Sequence, residues 1–443
     1  MHPADPLTPA GAGPVTSAGP VTLAGRALTL VHTGRAPTRS ALTAELGVTR
    51  ATTGAVTAEL RGLGLIEVDA GPGAQQQAGG QQGRPSHRLL PHPAGPVALA
   101  VQVHPGGFAV ALVGLGGEIV ARDAAHGAVS ADPALALAPA AEAAAGLLRA
   151  SGRRCVGAAA AVPTAVTRPG GRAVRALYVG WPDGAPVRDI FAAELARHGV
   201  QGLDGQGPGR PGAGAGVNRA GVNRAAANCA AVNDVNAIAL AEHRHGAGRD
   251  AACLLVVSAE HRGVGGALVL GGALYTGSTG LAMEAGHVSV DRGGRRCPCG
   301  NRGCLSVEAD AAWFLGAAGR PPDPAGRDDQ PVLDEAVSLL RAGYPADPRV
   351  REAADAIGAR LGLGLAGLVN VVNPDRVLLG GLYRHLLLAA PDRLREAVAA
   401  GSPWGSGAAI AIDPCALDDA VLIGAAEVAW QPVLDNPAVL RER

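Results

Sequence analysis

Residues 284–304 read EAGHVSVDRGGRRCPCGNRGC. The stretch gathers one imidazole and three thiols, His287, Cys297, Cys299 and Cys304. Zn²⁺ favours four tetrahedral N and S ligands, and one His with three Cys fills that shell with no open position, so the expected role is structural. Gly293, Gly294, Gly300 and Gly303 let a short loop curl around an ion without Cβ clashes. The plain alternative is a surface loop of reduced thiols. Three cysteines within eight residues favour metal over that alternative.

Glu284-x-Gly286-His287, then Cys297-x-Cys299-Gly300-x-x-Gly303-Cys304 ten residues on, resembles the signature of the ROK family of repressors, open reading frames and sugar kinases. The resemblance runs over nearly all of residues 21–434. It implies an α/β chain, with an N-terminal winged helix-turn-helix followed by an actin-like ATPase (ribonuclease H-like) ROK domain in two lobes. It also implies that Asn233, Asp234, Glu284 and His287 hold a sugar, Asp234 being the position of the base that deprotonates the sugar hydroxyl in the kinases. His287 then serves both metal and pocket. A carboxylate and an amide at a helix start can accept from and donate to hydroxyls, although an Asx cap is the ordinary use of such a pair.

At 443 residues the chain has room for two or three domains. Apolar residues make up 48% but aromatics only 2%, so the core is expected to be Ala, Val and Leu. Basic and acidic residues balance at 38 each, and every basic residue is Arg, so no global charge argues for nucleic acid or membrane. No stretch reads as long and apolar enough to span a bilayer, and no signal pattern opens the chain. Seven cysteines, three of them clustered, suit the cytoplasm better than a disulfide scaffold.

The expected domains are a tail at 1–20, a winged helix-turn-helix at 21–90, and the ROK body at 97–434, joined by a hinge at Pro91–Pro96. Thr38 and Thr49 are placed to cap two short helices separated by Gly47. The second helix should enter the major groove with Arg50, Thr52 and Thr53 at base edges. Arg39 and Arg61 would meet phosphates. Residues 24–64 carry five Arg against two Glu, a local net charge of +3 (5 − 2). Gly83-Arg84-Pro85 resembles the end of the ROK wing, which adds Arg84 to the DNA-binding set. Gly54 is an odd residue for the recognition helix. Residues 201–231, with GVNR repeated at Gly216 and Gly221, read as a low-complexity insertion.

The kinase parts read as damaged. The first phosphate loop of the family, Asp-x-Gly-Gly-Thr, is matched by Gln102-Val103-His104-Pro105-Gly106. The second is matched by Glu260-His261-Arg262-Gly263-Val264-Gly265-Gly266, where an inward Glu260 would repel phosphate. Gly380-Gly381 reads as an ordinary strand-to-loop turn. Ser306 stands where relatives carry a sugar-binding Glu, with Glu308 out of register. The expectation is therefore a sugar-responsive DNA-binding regulator, a homodimer or homotetramer that binds an operator and a sugar or sugar phosphate, with zinc and without turnover. The alternatives are an active ATP-dependent sugar kinase with a DNA-binding extension, or a regulator moved by a protein partner.

Overall fold

The computed structural model describes residues 21–69, 87–200, 229–260, 263–321, 330–403 and 410–441. The expected tail at 1–20, Arg84 with its Gly83 and Pro85 neighbours, residues 201–228 of the insertion, His261 and Arg262 lie outside the described residues.

Three helices lead: α1 (Leu23–His32), α2 (Arg39–Leu46) and α3 (Arg50–Gly62). Each starts at a threonine whose hydroxyl accepts a backbone N–H, Thr22 from Gly25, Thr38 from Ala41 and Thr49 from Thr52. Gly47 ends α2 at φ +64°, a conformation that favours glycine. Leu28, Val31, Leu42, Leu46, Val56 and Leu60 close a small core between the helices. Strands β1 (Ile66–Asp69) and β2 (Arg88–Pro91) pair antiparallel behind them as a wing, with Ile66 opposite Pro91.

The body is built twice on one plan. The first lobe holds β3 (Val97–His104), β4 (Gly107–Gly114), β5 (Ile119–His126), α4 (Pro133–Ser151), β6 (Cys155–Val162), the small pair β7 (Ala165–Val166) and β8 (Ala173–Val174), α5 (Val187–Arg197) and β9 (Cys229–Asn233). The second holds α6 (Asp234–His245), β10 (Cys253–Ala259), β11 (Gly265–Leu270), β12 (Ala273–Leu274), α7 (Leu305–Glu308), α8 (Ala311–Ala317), α9 (Gln330–Gly343) and α10 (Pro348–Val372). It closes with β13 (Arg376–Gly381), α11 (Leu382–Ala389), α12 (Pro391–Gly401) and β14 (Ala411–Pro414), after which α13 (Ala420–Asp435) returns to pack on β3 and β6 of the first lobe. The sheet orders are β5-β4-β3-β6-β9 and β12-β11-β10-β13-β14. Each is an antiparallel meander extended by two parallel strands. Ligands of such sheets bind beyond the carboxyl ends of the parallel strands, which here puts the cleft after β6, β9, β10 and β13.

Two expectations need correction. The Pro91–Pro96 stretch is not a free joint, because α1 packs on the last helix of the body: Thr22 N donates to Asp435 O at 3.0 Å, and the N-terminal helices share one buried cluster with α6 and α13. And α10, at 25 residues, is long and apolar enough by length and composition to cross a membrane. It lies instead against α12: a Cβ on Gly362 would stand 2.6 Å from Leu394 O and 2.5 Å from the Ala397 Cβ, so only glycine permits this approach. Val350, Ile357, Leu361, Leu365 and Val369 of the same helix are buried in the core.

Candidate functional site

The cleft holds a cavity of about 390 Å³ whose walls include all four expected sugar residues, Asn233, Asp234, Glu284 and His287. Asn233 ends β9 and caps α6, its Oδ1 accepting from Asn236 N at 3.1 Å. Its Nδ2 donates to Thr164 O at 3.2 Å and to Asp234 Oδ1 at 2.9 Å. Asp234 Oδ1 also accepts from Val235 N at 2.8 Å. The pair thus caps the helix and faces the cavity at once, so the two sequence alternatives are not exclusive. Burial in the cleft, with the neighbouring Glu260 carboxylate second, pushes the Asp234 carboxyl up to about 7. Glu260 is itself raised by burial and accepts from Ser258 Oγ at 2.5 Å. It faces both this cavity and a smaller one of about 260 Å³ beside Gly380 and Gly381, so a carboxyl stands between the two spaces.

Glu284 precedes a single turn, Ala285–His287, and His287 ends it. The glycine of Glu-x-Gly-His has a steric cause: a Cβ on Gly286 would stand 1.8 Å from Val264 O and 2.2 Å from Ser306 Oγ. Ser306 is buried, accepting from Val264 N at 3.1 Å and donating to Val264 O at 3.3 Å. Glu308 does not replace a sugar-binding carboxylate. It is buried under the next loop and accepts from Arg295 N at 2.6 Å.

That loop brings His287, Cys297, Cys299 and Cys304 together, all four donor atoms lying within 4.8 Å of one another. Cys297 Sγ is 3.7 Å from His287 Nδ1, and Cys299 Sγ is 3.7 Å from Cys304 Sγ. A tetrahedral ion with bonds of about 2.0–2.3 Å needs donors about 3.3–3.8 Å apart, so the set fits zinc. The loop is shaped by its backbone: Val290 N donates to Gly303 O at 2.8 Å and Cys297 N to Asn301 O at 2.8 Å. Gly303, at φ +63°, leaves no space for a Cβ, which would lie 1.5 Å from Asp291 O. Burial, then the adjoining thiols, push Cys304 up to about 12. Burial also raises Cys299, but the Asn301 N–H, the other thiols and the Arg175 guanidinium outweigh it and hold that thiol below its ordinary value. His287 turns Nδ1 to the thiols and Nε2 toward Glu284, 3.9 Å away, so one ring borders both loop and cavity.

Among the cavity residues that escaped the sequence reading are Thr164, Arg175 and Tyr178. Arg175 donates to Cys299 O at 3.2 Å from the cavity rim. No motif marks them; only the rarity of tyrosine, four in the chain, singles out Tyr178.

On the DNA side, Arg50 and Arg61 are exposed on α3 and Thr52 is half-buried. Thr53 is not a base reader: it is 1% exposed, accepts from Thr43 Oγ1 at 3.0 Å and donates to Thr49 O at 3.2 Å. Its hydroxyl fills an apolar position by bonding back into the helix pair. Arg39 is half-buried, donating to Thr57 Oγ1 at 3.1 Å, and its guanidinium lies over Gly54, 3.4 Å from where a Cβ would stand. That is an ordinary contact with the end of a flexible side chain, and nothing in the structure requires glycine at this position.

A two-lobed sugar-kinase-type body with a His-Cys₃ loop at its cleft and a winged helix-turn-helix in front defines a class of protein. Residues 218–431 match the model of the ROK family. It is 31% identical over 152 residues to the Escherichia coli (strain K12) transcriptional dual regulator NagC, covering 34% of this chain and 37% of that one. To the glucokinase of Halalkalibacterium halodurans it is 33% identical over 157 residues, 34% of this chain and 47% of the enzyme. These alignments span less than half the length of either relative. A ROK family transcriptional regulator, homologous to the E. coli Mlc protein, superposes over 95% of this chain and 97% of its own, with TM-score 0.67 at 21% identity. The Streptomyces griseus ROK glucokinase solved with glucose and AMPPNP covers 76% of this chain and 99% of its own, with TM-score 0.57 at 20% identity.

Proposed function

We propose that the protein is a transcriptional regulator of carbohydrate metabolism genes. It binds operator DNA through α3 and the wing, with Arg50, Thr52, Arg61 and Arg84 in contact and Arg39 behind them. It answers to a sugar or sugar phosphate held by Asn233, Asp234, Glu284 and His287. The observation that carries this reading is the position of the sugar residues around one cavity in a body on which α1 is docked. His287, Cys297, Cys299 and Cys304 would hold structural zinc, which fixes the loop that forms one cavity wall. The protein is proposed to be cytoplasmic and to act as a homodimer or homotetramer, because two-fold operators match two-fold proteins.

Phosphoryl transfer rests on positioning and charge stabilisation. His104-Pro105 in the first phosphate turn and Glu260 in the cleft oppose both, so the proposed role is binding without turnover. One observation favours the kinase reading: a carboxyl near 7, as at Asp234, is well matched to general-base work. A coupled ATP assay over a sugar panel separates the two. Turnover that disappears in Asp234→Ala overturns the regulator reading. Selection of bound duplex from a random DNA pool, repeated with each sugar, tests it directly; no enrichment by the full chain at low salt would refute it.

A further inference from the structure

A second cluster of titratable groups lies far from the cleft, where α1 meets the body. Glu427 of α13 is fully buried. Its oxygens accept from His32 Nε2 at 2.9 Å, from His245 Nε2 at 2.8 Å, and from Arg244 Nη1. His32, His245 and Glu427 are grouped as a metal site would be. The hydrogen bonds say otherwise. Gly116 N donates to His32 Nδ1 at 2.8 Å, so Nδ1 is an acceptor and the ring proton of neutral His32 sits on Nε2, pointing at Glu427. A metal on Nε2 would require an imidazolate or the loss of the Gly116 bond, and Arg244 already supplies a cation to the carboxylate. The cluster is a clamp with its donors and acceptors matched.

Its position matters. Arg244 and His245 are the last residues of α6, and the first is Asp234, in the sugar cavity. Twelve residues make one helix about 18 Å long between the two places. The clamp is reinforced just beyond α6: Arg249 donates to Thr33 O at 2.5 Å, and Arg35 pairs with Asp250 at 2.7 Å. Midway, α6 crosses α13 in direct backbone contact, since a Cβ on Gly424 would stand 1.8 Å from Ala237 O. A shift of α6 therefore reaches both helices that hold α1.

We propose that α6 is the lever coupling the sugar cleft to the DNA-reading unit, with the His32–Glu427–Arg244–His245 clamp as the joint through which it acts on α1. The proposal rests on the regulator reading, and the experiments separate the two. In the full chain, affinity for the duplex enriched from the random pool is measured with and without xylose, N-acetylglucosamine and glucose, the sugars in the names of its relatives. A coupling factor in the usual range of about 5–150-fold is expected for the native protein. In Glu427→Gln and in His32→Ala it falls below about twofold, while each ligand still binds alone. His32→Gln, which keeps an N–H donor toward Glu427, retains more coupling than His32→Ala. Both variants coupling at the native factor would overturn the lever.

A native protein without DNA or sugar binding would sink the regulator reading instead, and hydrogen exchange then decides the lever. Amides of residues 23–32 should exchange about tenfold faster or more in His32→Ala. Asn233→Ala, at the far end of α6, should alter the same amides in the native background but not in Glu427→Gln. Unchanged exchange of α1 in Asn233→Ala would overturn the proposal.

Discussion

Two histidine clusters among the described residues use similar donors for different ends. At the cleft, His287 directs Nδ1 to three thiols and leaves Nε2 toward Glu284. At the junction, His32 receives Gly116 N on Nδ1 and gives Nε2 to Glu427, which also binds Arg244. One ring turns Nδ1 into a pocket of soft ligands; the other is committed as a donor to a carboxylate. What the second nitrogen does decides whether a histidine cluster can bind metal or serves as a hydrogen-bonded clamp.

The strongest way to break that contrast is metal content. The double variant Cys297→Ser, Cys299→Ser should drop bound zinc from about one per chain to near none, while His32→Ala leaves it unchanged, read by elemental analysis of purified protein. Equal loss in both would mean that the clamp is a metal site after all. Next comes Glu427→Gln: removing the shared charge of a buried cluster leaves Arg244 facing a neutral amide and should cost about 3–5 kcal/mol in urea unfolding.

Acidity sharpens the contrast further. Burial raises Glu427, but the His32 and Arg244 charges and the His245 and His32 hydrogen bonds outweigh it and hold Glu427 well below its usual value, while burial holds His32 below its own. For Glu427, the unfolded chain takes up the proton first as pH falls below about 4.5, so its stabilisation is present above that value and lost below it. His32 acts in the same direction below about 6.5. Melting temperature should fall on acidification, and less steeply in Glu427→Gln. Asp234 has the opposite sign. Its carboxyl is raised to about 7, so between 3.8 and about 7 the folded chain holds a proton that the unfolded chain lacks. Its contribution declines as pH rises, and Asp234→Asn should therefore stabilise more at pH about 8 than at about 5. The smallest expected effect is on α3: Arg61→Ala should weaken DNA binding and lower the salt slope by about one, whereas Thr53→Val should leave the salt slope unchanged.

Much of this was visible along the chain. Threonine caps at 38 and 49 and Gly47 followed from local rules, because caps and turns are made by residues a few positions apart. The His-Cys₃ loop was legible for the same reason. The burial of Thr53 was not, since a hydroxyl at an apolar position reads as surface until its partner Thr43 is seen. Nor was the role of Glu308, whose contact with Arg295 N spans thirteen residues and depends on how the loop folds back.

The chain alone determined its cleft chemistry and its order of parts: Asn233-Asp234, Glu284-x-Gly-His287 and the cysteine loop are short-range patterns whose chemistry survives in one dimension. Only the tertiary structure decided that the first helix is held by the last. His32 and Glu427 are 395 positions apart, and no periodicity links them. A buried carboxylate needs donors on every side, and those donors come from α1 and α6, which only folding brings to α13.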